Sequence, residues 1–371
     1  MRRKSENSYN RKGVLICGAY GMGNAGDEAI LGAILGEMRE IDPDMPITVL
    51  SRSPKETAAR YGVRSLHMFD APGFLGEMRR KKLYINGGGS LIQDATSSRS
   101  LYYYLFTLRA ARRLGCRVLM YGCGIGPVAG RINRRLAGRV IDECADEITL
   151  REDSSLAELE SFGVTRPKMI LSSDPALSLR RADDSETDRK LAELGLDSGG
   201  RYICFCLRDW DGFSERAELF ARAADYAYEK YGLEPVFLSA NHRSDSAAAE
   251  KAARLMSAPY RIIADPMPAP LTLGVMSRMS AVVSIRLHGL IFAASQAVPV
   301  AGISYDPKVS AFLDYIGQKN YLPLSSLVPG ELEKLIDNAV CADRQALTES
   351  VERLRGIERR SMESARRLLE S

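Results

Sequence analysis

The sequence predicts an α/β protein built as two parallel-sheet halves, and three observations carry that prediction. Short β-branched, apolar runs alternate with longer helical patterns along most of the chain. Several of those runs end in glycine-rich turns, among them Gly21-Met22-Gly23-Asn24-Ala25-Gly26, Gly87-Gly88-Gly89 and Gly122-Cys123-Gly124. The alternation stops in a polar stretch near the middle and then restarts, and 371 residues suit two domains of roughly 150 residues each.

The first strand is Val14 to Cys17, followed by a helix from Ala29 to Arg39 and a strand from Ile47 to Arg52. Leu83 to Asn86 reads as a strand ending in Gly87-Gly88-Gly89-Ser90-Leu91-Ile92-Gln93-Asp94, where three glycines imply close backbone approach to a loop or a ligand. A helix from Arg99 to Leu114, a strand from Cys116 to Tyr121, a helix from Asn133 to Cys144 and a strand at Glu147 to Leu150 complete the first half. Repeated strand–turn–helix order demands a parallel sheet covered by helices on both faces.

Ser172 to Ser185 reads as the linker. The second half then runs through strands Tyr202–Leu207, Pro235–Ser239, Arg261–Ala264, Val282–Ile285 and Val300–Ser304, with helices between them. The expected boundaries are residues 12–175, 176–341 and a C-terminal helix at 342–371. Two Rossmann-like halves of similar size favour a ligand in the crevice between them.

Composition excludes several classes. The chain is 45% hydrophobic and 26% charged, as ordinary globular proteins are. No apolar run approaches the roughly 18–20 residues that span a bilayer, and the basic N-terminal dozen residues lead into no signal-peptide core. Seven cysteines form no zinc or disulfide pattern; Cys17, Cys116, Cys123, Cys204 and Cys206 sit in apolar runs as small hydrophobes, and the cytoplasm is the expected compartment. A net charge of +4 is too mild to argue for nucleic acid. The three histidines, His67, His242 and His288, lie far apart, so no metal constellation is read.

Two basic segments remain. The tail carries Arg344, Arg353, Arg355, Arg359, Arg360, Arg366 and Arg367 among interspersed glutamates, which suits a solvated, salt-bridged helix better than a membrane-surface one. In Phe69 to Lys82, Phe74, Leu75 and Met78 precede four cations; an anionic lipid surface or pyrophosphate headgroup fits as well as a charged solvent-facing turn.

The chemistry concentrates at Val282-Val283-Ser284-Ile285-Arg286-Leu287-His288-Gly289. A strand gives way to a helix there, and unpaired N–H groups with the helix dipole favour an anion. Arg286 and His288 alternate along the strand and are expected to leave on the same side, joining a fixed cation to a titratable imidazole. The plainer reading is an Arg–carboxylate pair beside a core histidine.

In the first half, Gly21, Gly23 and Gly26 match G-x-G-x-x-G between a strand and a helix, the context of a dinucleotide site. Asp27 and Glu28 weigh against it, because two carboxylates stand where a pyrophosphate would bind. Asp27 then either caps the helix or serves a polyhydroxyl ligand, accepting a hydroxyl proton. Glu28 and Asp94 fit that role almost as well. Arg151 stands at another strand-to-helix junction, in Leu150-Arg151-Glu152-Asp153.

Taken in order, Tyr20 to Glu28, Gly87 to Asp94, Arg286-Leu287-His288-Gly289 and Tyr305-Asp306-Pro307-Lys308 resemble the motifs of the polysaccharide pyruvyltransferase family, and most of all its CsaB-type, cell-surface-anchoring members. The resemblance runs from about Val14 to about Leu313. It implies a GT-B-like fold of two facing Rossmann-like domains with an inter-domain cleft: an acceptor-binding domain at 12–175 and a phosphoenolpyruvate-binding domain at 176–341. It also implies transfer of pyruvyl from phosphoenolpyruvate to N-acetylmannosamine of a lipid-linked precursor of a secondary cell wall polysaccharide, the kind that anchors an S-layer, as a 4,6-ketal. No cofactor is implied beyond phosphoenolpyruvate as donor. By the resemblance His288 is the acid, Arg286 binds phosphoenolpyruvate together with Leu287, Arg151 and Lys308 are further anion ligands, and Asp27 lies on the acceptor side with Asn24, Gly26, Gly88, Gly89 and Asp94. A cytoplasmic enzyme with peripheral contact to the inner face of the plasma membrane would meet such an acceptor. The rivals are a GT-B glycosyltransferase using a nucleotide sugar, an NADP-dependent oxidoreductase and a non-enzymatic binding module.

Overall fold

A computed structural model describes residues 11–95 and 97–371. The basic N-terminal residues singled out above lie mostly outside that range. Contacts divide the chain into two units. The first comprises residues up to Met22, Asp27–Ser178 and Arg355–Ser371; the second comprises Gly23–Gly26 and Leu179–Leu354. The short segment Gly23–Gly26 counts with the second unit because Ala25 N donates to Ala240 O at 2.9 Å and Asn24 bridges Asn241.

The first unit runs β1 (Val14–Cys17), α1 (Ala25–Ile41), β2 (Ile47–Ser51), α2 (Pro54–Tyr61), β3 (Arg64–His67), α3 (Ala71–Met78), β4 (Leu83–Ile92), α4 (Ser98–Arg113), β5 (Arg117–Ile125), α5 (Arg131–Cys144), β6 (Glu147–Leu150), α6 (Asp153–Ser161) and β7 (Lys168–Leu171). Its seven strands are parallel, in the order β3-β2-β1-β4-β5-β6-β7. β1, β4 and β5 are buried along nearly their whole length, because helices cover both faces.

The second unit runs α7 (Asp184–Glu193), β8 (Tyr202–Cys206), α8 (Ala217–Tyr231), β9 (Glu234–Leu238), α9 (His242–Ala253), β10 (Arg261–Ile263), α10 (Ala269–Ser277), β11 (Met279–Ser284), α11 (Leu287–Ser295), β12 (Val300–Ser304), α12 (Pro307–Tyr315), β13 (Tyr321–Pro323) and α13 (Glu331–Val340). Its six-stranded parallel sheet has the order β10-β9-β8-β11-β12-β13. The final helix, α14 (Arg344–Glu370), divides between the units at Leu354/Arg355.

Five sequence expectations need correction. The triple glycine is not a turn after a strand: β4 continues through it to Ile92. Gly88 and Gly89 take φ of 55° and 73°, and a side chain on Gly88 would overlap Ile30 of α1, so only glycine lets the strand pass beneath that helix. Likewise β5 runs through Gly122-Cys123-Gly124.

The expected linker is partly core. Ser172, Ser173 and Asp174 are at most 3% exposed, and Ser172 Oγ meets Ser361 Oγ of α14 at 2.8 Å. Polarity misled there, because these hydroxyls and this carboxylate are buried with partners rather than solvated.

The tail helix is not a separate domain: Arg353, Arg359, Arg360, Arg366 and Arg367 lie on an exposed face, as expected, but its other face is buried. Leu347, Val351, Leu354, Met362, Ala365 and Leu368 are buried. Arg355 donates to Leu177 O, Arg360 to Leu171 O, and Arg367 pairs with Glu147 at 2.7 Å. Finally, the apolar face of α3 is turned inward: Phe74 and Met78 are buried, and Arg64, Arg80 and Lys81 gather on the buried Glu77. That face is not available to lipid. Cys17, Cys116, Cys123, Cys204 and Cys206 are free and buried, as small hydrophobes are.

Among the described residues, no helix is long and apolar enough to cross a membrane.

Candidate active site

In the second unit the site is assembled at the carboxyl end of the sheet, where open parallel sheets bind ligands. β11 ends at Ser284, whose hydroxyl accepts from Arg286 N at 3.0 Å and donates to Arg286 O at 2.7 Å, fixing the corner. Arg286 keeps extended backbone as the residue before α11, and His288 already lies in the helix's first turn. The two therefore do not alternate along a strand, as the sequence suggested. Gly289 forces the switch, since a side chain there would press on Ser284 Oγ and stand 2.9 Å from Cys206 Cβ.

Their side chains meet different partners. The Arg286 guanidinium is gripped by Asp245, with Nε at 3.1 and 3.0 Å from the two carboxylate oxygens and Nη2 bound as well. Asp245 is 1% exposed and also accepts from Ala240 N at 3.0 Å and Asn241 N at 2.8 Å. A buried carboxylate with two backbone donors is itself fixed in place and locks the fork-shaped cation in one orientation. His288 is half-buried, its ring 5.9 Å from Phe292. A Cβ on Gly26 would overlap the imidazole, so the Gly26 backbone lies directly on the ring. Asn24 Oδ1 accepts from Gly26 N at 3.1 Å and holds that segment. Lys308 opens α12, capped by Asp306, which also pairs with Lys308 Nζ at 2.9 Å. Leu287 is 7% exposed, so its side chain is packed away, and its backbone N–H is one of the first of α11.

In the first unit the candidate carboxylates separate. Glu28 is committed: Gly21 N donates to it at 2.7 Å, Tyr61 OH at 3.1 Å, and Arg60 stands 3.5 Å away. Asp94 is committed too, accepting from Ala129 N at 2.9 Å, Gly130 N at 3.4 Å and Asn133 Nδ2 at 2.8 Å at the start of α5. Some desolvation opposes its charge, yet these donors hold its carboxyl below the usual range. Asp27 lies in the first turn of α1, where a Cβ on Gly89 would stand 3.3 Å from its Oδ1. Burial and then the Asp27 charge push the Tyr20 phenol up.

Arg151 is a buried hub rather than an open cation. Its side chain is 4% exposed, with Nε on Glu152 at 2.8 Å, Nη1 on Asp174 at 2.9 Å and Nη2 on Ser90 at 3.0 Å. Burial works against its charge, but Glu152 and Asp174 outweigh it and raise its pKa. Sequence reading overlooked Asp245 and Asp174. Asp245 follows Asn241 by four residues at a helix start, a signal that was available; nothing local marks Asp174 as the partner of Arg151. Among the described residues, no group of three or more His, Cys, Asp and Glu could hold a metal ion.

Two parallel-sheet α/β units of this kind make a GT-B-like fold. Solved structures agree on the fold. The UDP-GlcNAc 2-epimerase of Neisseria meningitidis bound to UDP-GlcNAc matches with a TM-score of 0.63 at 11% identity, covering 96% of this chain and 100% of that one. Anabaena Alr3699/HepE in complex with UDP and glucose matches with a TM-score of 0.58 at 10% identity, covering 95% and 96%. The chain belongs to the polysaccharide pyruvyl transferase family, whose profile matches residues 24–307. It is also 21% identical, over 411 aligned residues, to the amylovoran biosynthesis protein AmsJ of Erwinia amylovora, covering 95% of this chain and 96% of that protein.

Proposed function

We propose that the protein transfers pyruvyl from phosphoenolpyruvate to a sugar diol, forming a cyclic ketal and releasing phosphate. The favoured acceptor is N-acetylmannosamine of a lipid-linked cell-wall precursor, bridged across O4 and O6 as in CsaB-type enzymes, reached from the cytoplasmic face. The carrying observation is the corner at β11, where Arg286 oriented by Asp245, His288 in the first turn of α11 and the first N–H groups of that helix fall within three residues.

Phosphoenolpyruvate brings a carboxylate and a phosphate, which Arg286, Lys308 and the α11 N-terminus suit. His288 gives a proton to the CH₂ carbon, making the neighbouring carbon electrophilic. One sugar hydroxyl adds to that carbon, the C–O bond to phosphate breaks, and a second hydroxyl closes the ketal. Of the two hydroxyl protons, one restores His288 and one leaves with phosphate. Asp27, which follows Gly26 in the chain, is the favoured acceptor of the first hydroxyl proton, which it hands on to the departing phosphate. Arg151 serves by shaping the β5 and β6 strand ends, not by touching the donor.

The test is phosphate release from phosphoenolpyruvate with and without an N-acetylmannosamine-containing disaccharide, with mass analysis of the product. Sugar-dependent release and a product heavier by a pyruvate ketal are expected. His288→Ala should abolish turnover with an unchanged melting temperature; near-wild-type activity would remove His288 from the mechanism. A second reading, a nucleotide-sugar glycosyltransferase, draws on the UDP-bound structures that share the fold. Protection by a UDP-sugar without phosphate release would favour it.

A further inference from the structure

Beside this corner lies a cluster that the proposed chemistry does not use. Trp210, in the loop after β8, is 41% exposed. The Arg208 guanidinium carbon lies 4.5 Å from the Trp210 ring centroid and 5.1 Å from that of Tyr305, and the two rings are 5.0 Å apart at 48°. Arg208 Nη1 donates to Tyr305 OH at 2.5 Å. Between Arg208 and Trp210 in the chain, Asp209 is tied by Lys251 at 2.8 Å, and Lys251 also reaches Ser214 at 3.0 Å. The indole is thus held from two sides while much of it faces solvent.

Its place in the sheet gives the cluster meaning. β8, β11 and β12 are consecutive neighbours. Arg208 follows β8 and Tyr305 follows β12, so their hydrogen bond spans two strand spacings, roughly 10 Å, across the carboxyl end of β11. That end carries Arg286 and His288.

We propose that Trp210, braced by Arg208 and Tyr305, is the platform on which the pyranose ring of the acceptor lies. The inference rests on the pyruvyl-transfer reading above. An indole face is electron-rich, and the C–H groups on one face of a pyranose are weakly positive and apolar, so the two stack. Phosphoenolpyruvate has no ring to lie there and is held by cations instead. Bracing the indole in advance lowers the ordering cost of binding. A ring stacked at this strand end has its hydroxyls beside the carbon that His288 activates.

Trp210 is the chain's only tryptophan, so its emission reports on this position alone. Full-length protein should be titrated with methyl pyranosides of N-acetylmannosamine, galactose and glucose, and separately with phosphoenolpyruvate, UDP and UDP-glucose. A saturable emission change is expected with at least one pyranoside and not with phosphoenolpyruvate alone. Trp210→Ala should raise the acceptor KM by about tenfold or more while leaving the phosphoenolpyruvate KM within about twofold, and Trp210→Phe should recover most of the loss. No response to any pyranoside overturns the proposal, as does a rise confined to the phosphoenolpyruvate KM. A response to UDP alone also overturns it and gives the indole to a nucleotide base. If the wild-type protein released no phosphate with any acceptor, the pyruvyl-transfer reading would fail, while the pyranoside titration would still decide whether the platform binds a sugar.

Discussion

Gly26 lies with its backbone against the imidazole of His288, so closely that a Cβ would occupy the ring's own space. The catalytic histidine of the proposed reaction is therefore positioned by a glycine about 260 residues away in sequence. Gly26→Ala should displace the ring and lower turnover by about two orders of magnitude, with an overpacking cost of about 1–3 kcal/mol. Gly36→Ala is the control: it sits on the exposed side of α1 with nothing within 4 Å, and should be neutral or slightly stabilising. Phosphate-release rates and melting curves for both variants check this; equal activity would mean the contact does not position His288.

Asp245 decides the direction of Arg286. Asp245→Asn keeps the shape but removes the charge, so the phosphoenolpyruvate KM should rise by about 10- to 100-fold, and stability should fall by about 3 kcal/mol as a half-buried cation loses this carboxylate. Initial rates at varied donor concentration separate the two effects. A lower kcat at unchanged donor KM would remove Arg286 from donor binding.

Arg151 should behave as a structural residue. Arg151→Ala leaves Asp174 and Glu152 without their cation in a buried place, costing about 3–5 kcal/mol. Denaturant unfolding measures it. A stable variant with a raised donor KM would instead make Arg151 an anion ligand.

Glu37 of α1 and Glu358 of α14 are buried together in the first unit. Burial first, and the neighbouring carboxyl second, raise the Glu37 pKa, and burial raises that of Glu358. A carboxyl raised in the folded state costs nothing below its unfolded pKa, near 4.3. Stability is then lost as pH rises from there toward the folded pKa, because only the unfolded chain ionises readily. Glu37→Gln removes that loss. The variant should match wild type near pH 4 and melt progressively higher than wild type toward pH 8. A difference that shrinks with rising pH would show that the pair is ionised in the fold.

Much of the fold was legible locally. Val14–Cys17, Ile47–Ser51, Tyr202–Cys206 and Val300–Ser304 are short apolar runs bounded by breakers, and the parallel order follows from the helices between them. The edge strands Arg64–His67 and Lys168–Leu171 escaped notice because they are four residues long and mostly half-exposed, with at most the three apolar residues Met169-Ile170-Leu171 in a row. The helix Asp184–Glu193 was lost within an apparently polar linker, although Asp183 caps it by accepting from Glu186 N at 2.8 Å.

By itself the sequence determined the two-sheet α/β class, the strand-to-helix corner at Arg286 and His288, and membership of a family whose motifs occur in order. Those are local properties: periodicity, glycine at tight corners and the order of short motifs. Only the tertiary structure decided which charges are spoken for. Glu28, Asp94 and Arg151 carry no local mark of their partners, which come from residues 21 and 61, from 129 to 133, and from 90 and 174. A side chain's hydrogen bonds are made in space with groups far along the chain, and no local pattern of residues records them.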